Sequence, residues 1–117
     1  MTDPIAPAAE PNDIARLLWE RMNAGDLDGI VALYEPAAVL ALPDGQVATG
    51  HAAIRAAFGK LLAAQSNFLP GEQRPALQVG DLAFTSARLA SGAVTAEVAR
   101  RQSDGSWRWM IDQPSVR

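Results

Sequence analysis

The stretch Asn23-Ala24-Gly25-Asp26-Leu27-Asp28-Gly29-Ile30-Val31-Ala32-Leu33-Tyr34 constrains this chain more than any other, because it predicts two helices meeting at a tight corner. Before it, Ile14, Leu17, Leu18 and Met22 recur at helical spacing, with Trp19 on the flank of the stripe and Asn12 or Asp13 as the cap. The pattern stops at Gly25, the residue type best suited to the left-handed position that follows a helix. Asp26 then caps a second helix over about residues 26–34, and Asp28 stands in its first turn, where the helix dipole favours a carboxylate. Leu27, Ile30, Val31 and Tyr34 form its inner face, with Tyr34 read as core. Glu35-Pro36 ends it, since the residue before a proline disfavours helical backbone.

Residues 37–42 read as a short apolar strand that Pro43-Asp44-Gly45 turns back into 46–49. A third helix over about 50–64 presents Ile54, Phe58, Leu61 and Leu62, and its alanines allow close packing on a sheet. Everything after it reads as β. Pro70, Gly71 and Pro75 require the segment 67–79 to bend, bulge or lie at an edge. Strands over 82–90, 94–102 and 107–113 follow, joined at Ser91-Gly92 and Asp104-Gly105 as a meander. Helices first and strands afterwards predict an α+β domain over 12–117, with helices on one sheet face. Residues 1–11, with three prolines and several alanines, read as a frayed lead-in.

The 117 residues suffice for one domain with one core. Thirteen acidic against ten basic residues, with no basic cluster beyond Arg100-Arg101, argue against a nucleic-acid partner. With no cysteine, disulfides and thiol catalysis are excluded, which fits a reducing compartment. No segment approaches membrane-spanning length or has a signal-peptide pattern, so the expected location is the cytoplasm.

Turn length decides which side chains share a face. A two-residue turn at Asp104-Gly105 sets Ser103 against Ser106 and carries Glu97 opposite Asp112. A two-residue turn at Ser91-Gly92 pairs Arg88 with Thr95 and Ser86 with Glu97. One face then collects Phe84, Ser86, Arg88, Glu97, Ala99, Met110 and Asp112, and the other Leu89, Val94, Val98, Trp107, Trp109 and Ile111. A one-residue change in either turn reverses part of this assignment.

With Gly50-His51-Ala52-Ala53-Ile54-Arg55 opening a helix after a short hairpin, and strands thereafter, the chain resembles the NTF2-like superfamily over about residues 13–115. Within it the likeness is to ketosteroid isomerase and to SnoaL-like and DUF4440-type proteins. The resemblance implies a cystatin-like cone, with three N-terminal helices packed on a strongly bent antiparallel sheet of about five or six strands. It implies an apolar cavity under one sheet face and a homodimer through the other. It also implies where chemistry would sit. The family's active-site tyrosine on the first helix falls at Leu18, its general-base aspartate falls at Leu42 just before Pro43, and its second, protonated acid falls near Glu97. A leucine neither donates nor accepts a proton, so the cavity is implied without the isomerase's base.

Glu97 and Asp112, side by side in a cavity, would repel, and burial would raise the pKa of at least one, which suits a carboxyl to acid catalysis near neutral pH. They are the candidate catalytic residues. Leu18, Met22, Leu42, Phe58, Phe84, Ser86, Arg88 and Met110 are the candidate ligand pocket, with Arg88 in reach of both acids. The plainer reading of the acids is a polar pocket wall or an exposed network of small energetic consequence. His51, the single histidine, reads as a solvent-facing helix-start residue, Asp26 and Asp28 read as caps, and Ser86 has no histidine beside it to activate it. One histidine and no cysteine predict no transition-metal site, and no cofactor is expected. Trp107 and Trp109 read as a subunit interface. The expected ligand is a small hydrophobic or polyketide-like molecule. The alternative is a side-chain-filled interior in a non-catalytic dimerising or partner-binding module, and cavity volume separates the two.

Overall fold

The computed structural model describes residues 6–116, with three helices and one curved sheet of eight strands. Helix α1 spans Asp13–Asn23 and buries Ile14, Leu18 and Met22 of the predicted stripe together with Ala15, while Leu17 is only partly buried. Ala24 closes it and Gly25 adopts φ +67°, the left-handed turn that reverses the chain. Asp26 then caps α2, its Oδ1 accepting from the Gly29 N–H at 3.0 Å. The inside of the corner holds a charge the sequence pattern did not signal. Arg21 is buried and donates to the Gly29 carbonyl at 2.7 Å and the Ala6 carbonyl at 2.5 Å, tying helix, corner and N-terminal segment together.

Helix α2 is shorter than expected, Leu27–Val31, and Tyr34 opens strand β1, Tyr34–Ala41. The proline therefore stands inside a strand rather than at a helix end. It is tolerated there because pairing is interrupted between Tyr34 and Val39, so no ladder bond needs the missing N–H. Strand β2, Val47–Thr49, returns beside β1, and α3, His51–Ala64, follows from Gly50 at φ +86°. Ile54 and Phe58 of α3 are buried, while Leu61 is partly exposed. A His51 ring nitrogen donates to the Tyr34 carbonyl at 2.8 Å, which pins the helix start to β1.

The proline-containing segment forms two short strands, β3 Glu72–Gln73 and β4 Leu77–Val79, with Pro75 between them and β4 at the end of the main strand order. Strands β5 Leu82–Thr85, β6 Ala87–Arg88, β7 Val94–Arg101 and β8 Trp107–Val116 complete the sheet. Its main order is β2-β1-β8-β7-β5-β4. The sheet is mixed rather than wholly antiparallel, because β1 lies parallel to β8. Helices α1 and α3 pack on the inner face, where Ile14, Ile30, Leu33, Tyr34, Ile54, Phe58 and Trp109 form the core. Part of the expected lead-in packs as well: Ala8 is 1% exposed and bridges to Trp107. The first five residues of that lead-in lie outside the described residues. Among the described residues no helix is long and apolar enough to cross a membrane.

Candidate functional site

Both hairpins that build the site use three-residue loops. Gln102 pairs with Ser106 around Ser103-Asp104-Gly105, and Leu89 pairs with Ala93 around Ala90-Ser91-Gly92. In each loop the last residue is a glycine with φ near +90°, the arrangement of a type I turn followed by a left-handed residue. Each loop is thus one residue longer than a two-residue turn at the same Gly, and the two slips have different outcomes.

In the β7–β8 pair the slip is undone. The ladder runs Arg101 with Trp107 and Ala99 with Trp109, then shifts so that Val98 meets Ile111 and Glu97 meets Asp112. Met110 is the extra residue of that bulge. The expected neighbours Glu97 and Asp112 therefore stand opposite one another, whereas Trp107 and Trp109 turn inward and are buried, not outward as an interface. In the β5–β7 pair nothing undoes the slip. Thr85, not Ser86, faces Glu97, and Phe84 pairs with Val98 on the outer face. The expected pocket lining is corrected accordingly. Phe84 is 43% exposed, and Arg88 is exposed on β6 beside Glu72, far from a role as partner of the two acids. The Ser86 hydroxyl is spent on the Thr95 carbonyl at 2.7 Å, and Met110 sits half-buried at the bulge without lining the cavity. Leu89, expected on the outer face, lines the cavity instead.

Between α1, α3 and the inner sheet face lies a cavity of about 830 Å³. Leu18, Trp19 and Met22 line it from α1, Ala53, Ala57 and Phe58 from α3, and Leu40 and Leu42 from β1 and the residue after it. Glu97, Thr95, Trp109 and Asp112 form its polar wall, and Asp44 and Lys60 are its remaining charged lining groups. Of the residues expected to line a pocket, Leu18, Met22, Leu42 and Phe58 do so, together with both acids.

The acids are 3% and 4% exposed, and each is held by a hydroxyl. Tyr34 Oη donates to Asp112 Oδ2 at 2.5 Å, and Thr85 Oγ1 donates to Glu97 Oε1 at 2.7 Å. The Trp109 indole N–H donates in turn to Thr85 Oγ1 at 3.2 Å. Burial first, and then the neighbouring Glu97 charge, push the Asp112 carboxyl up to about 7. Burial also raises Glu97, against hydrogen bonds from Thr95 and Thr85 that favour its ionised form. Burial, together with Asp112 and Glu97, holds the Tyr34 phenol well above its ordinary value, so it remains a donor. The arrangement supplies one carboxyl able to exchange a proton near neutral pH beside a second, in an apolar chamber.

Tyr34 and Thr85 were missed because their placement follows from strand pairing. Thr85 becomes legible once Ser91-Gly92 is given a three-residue loop. Tyr34 has only the weak signal of an aromatic residue just ahead of the apolar run 37–42. Its ring packs edge-on to Trp109 with centroids 5.6 Å apart, and lies 6.0 Å from Phe58.

A family model described as a SnoaL-like domain matches residues 15–112. Among solved structures, a candidate calcium/calmodulin-dependent protein kinase type II association domain from Thiobacillus denitrificans superposes with a TM-score of 0.76 at 19% identity, covering 98% of this chain and 100% of that one. A candidate ketosteroid isomerase from Shewanella frigidimarina gives 0.71 at 13% identity over 92% and 94% of the two chains. An NTF2-like protein with a cystatin-like fold from Novosphingobium aromaticivorans gives 0.66 at 22% identity over 86% and 75%. At these identities the structures share the fold. No protein of curated function matches the sequence.

Proposed function

The chain belongs to the SnoaL-like domain family of the NTF2-like superfamily, and from that premise we propose that it binds a small hydrophobic molecule in the cavity between its helices and sheet. One observation carries this reading: an apolar chamber of about 830 Å³ whose wall holds two adjacent buried carboxyls. That volume is on the scale of ligand sites, roughly 300–1,000 Å³, and it weighs against a packed, purely dimerising module. If the bound molecule is also transformed, Asp112 is the acid or base, Glu97 sets its proton affinity, and Tyr34 orients it. The steroid isomerase reaction is not the chemistry we assign, because Leu18 and Leu42 stand where the resemblance expects a tyrosine and the general base.

We also assign a homodimer in the cytoplasm, joined through the outer sheet face. Leu77, Phe84, Val98 and Ile111 are consecutive cross-strand partners there, and three of them are more than 40% exposed. A contiguous apolar row of this kind is a common mark of a protein contact.

Titration with Nile red, a neutral apolar fluorophore, tests the cavity reading. Saturable blue-shifted emission at one probe per chain is expected, and Ala57→Trp, which sets an indole into the chamber from α3, should weaken it without loss of thermal stability. Absence of saturable binding to the native protein defeats the proposal.

A further inference from the structure

Hydrogen bonding around the two acids runs in one direction. An indole N–H can only donate, so Trp109 fixes Thr85 Oγ1 as its acceptor and leaves the Thr85 proton for Glu97. Thr95 is used in the same sense: its hydroxyl accepts from the Ala87 N–H at 2.9 Å and gives its own proton to Glu97. The Tyr34 hydroxyl is committed to Asp112. These donors face the carboxyls from the protein side, and what the pair offers the cavity is carboxyl oxygen. Among the described residues, none of the ion pairs includes Glu97 or Asp112. The ionisable groups facing the chamber are Glu97 on β7, Asp112 on β8 with Tyr34 of β1 behind it, and Asp44 and Lys60 on the β1–β2 hairpin and α3.

We infer that the chamber selects a hydrophobic organic cation, a protonated amine on an apolar body, with its N–H groups received by Glu97 and Asp112. The inference rests on the ligand-binding reading above and names the ligand class for that same cavity. An ammonium has only protons to donate, which matches the oxygens that the wall presents to the cavity once Asp112 has released its proton, as it does above about pH 7. A ketone brings acceptors alone and meets no uncommitted donor from Tyr34, Thr85 or Trp109. The apolar body lies against Leu18, Met22 and Phe58, and the ring of Trp109 beside the acids adds an aromatic surface of the kind that attracts cations. Two buried acids that none of the ion pairs among the described residues includes, Lys60 on the chamber wall among the cations left out, acquire a cation from the ligand, which removes the mutual repulsion that otherwise opposes ionising both.

The test compares 1-pyrenemethylamine with 1-pyrenemethanol by fluorescence titration at pH 7.5. The two probes share one apolar body and differ in ammonium against hydroxyl. The amine is expected to bind at least about tenfold more tightly, and the double variant Glu97→Gln/Asp112→Asn should lose that preference while keeping its affinity for the alcohol. The alcohol's binding doubles as the check that the variant is folded. If the double variant does not hold the alcohol, the single variants Glu97→Gln and Asp112→Asn are read in its place, and an undiminished amine preference in both overturns the inference. Equal or tighter binding of the alcohol to the native protein overturns the cation reading and leaves hydrophobic binding standing. Failure of both probes to bind overturns the two readings together.

Discussion

Tyr34 and Asp112, 78 residues apart in sequence, meet at 2.5 Å with the phenol donating to the carboxyl at the wall of the cavity. The contact joins the first strand to the last across their parallel pairing, and it favours the ionised form of a carboxyl that burial pushes the other way. Tyr34→Phe keeps the ring against Phe58 and Trp109 and withdraws only the hydroxyl. We expect a loss of about 1–3 kcal/mol, greater at pH 8.5 than at pH 5 because a hydroxyl binds a carboxylate more strongly than a neutral acid. Urea unfolding at the two pH values measures this. An equal loss at both would show that Asp112 does not ionise in the folded protein over that range.

Stability should fall as pH rises. The Asp112 carboxyl titrates near 3.8 in the unfolded chain and near 7 when folded, so between those values the native state holds a proton that the unfolded state has released. The contribution is complete below about pH 4 and is lost as pH climbs through 7; Glu97 is shifted in the same direction and adds to the trend. The ceiling from Asp112 is about 4 kcal/mol. Urea midpoints from pH 4.5 to 8.5 should decline in the native protein and decline less steeply in Asp112→Asn, where only Glu97 is left to contribute. A midpoint that rises across this range contradicts the assignment.

No turnover of a Δ5-3-ketosteroid is expected, since Leu18 and Leu42 line the cavity without supplying a donor or a base. Dienone formation followed at its ultraviolet absorbance is the assay. Turnover that is abolished by Asp112→Asn would mean that the buried pair substitutes for the missing base.

Dimerisation should depend on the outer row of the sheet. Phe84→Glu and Ile111→Lys are each expected to give monomers in sedimentation velocity while leaving the fold intact, because both side chains are more than 40% exposed in the single chain. A monomeric native protein, or a dimer untouched by both substitutions, removes the assignment. Trp109→Glu would report on something else: that residue is 2% exposed, and a charge there would unfold the core.

What the sequence determined by itself was whatever rests on neighbours in the chain. Gly25, Asp26 and Gly50 specify a helix end and two helix starts through backbone freedom and a carboxylate cap, and the structure has all three where they were expected. The four-residue spacing of Ile14, Leu18 and Met22 is likewise a local property, and it buries Ile14 in the core and brings Leu18 and Met22 to the cavity wall. The site was decided by tertiary structure, because side chains alternate across a strand and one residue of slip exchanges its faces. Ser91-Gly92 and Asp104-Gly105 announce turns but not their length, and each loop is one residue longer than the two-residue form. Met110 absorbs the difference on β8, which is why Glu97 and Asp112 still meet; nothing absorbs it before Thr85, which is why Arg88 and Phe84 face outward. Tyr34 reaches Asp112 only because β1 runs parallel to β8, a pairing between the first and last strands that no local pattern encodes.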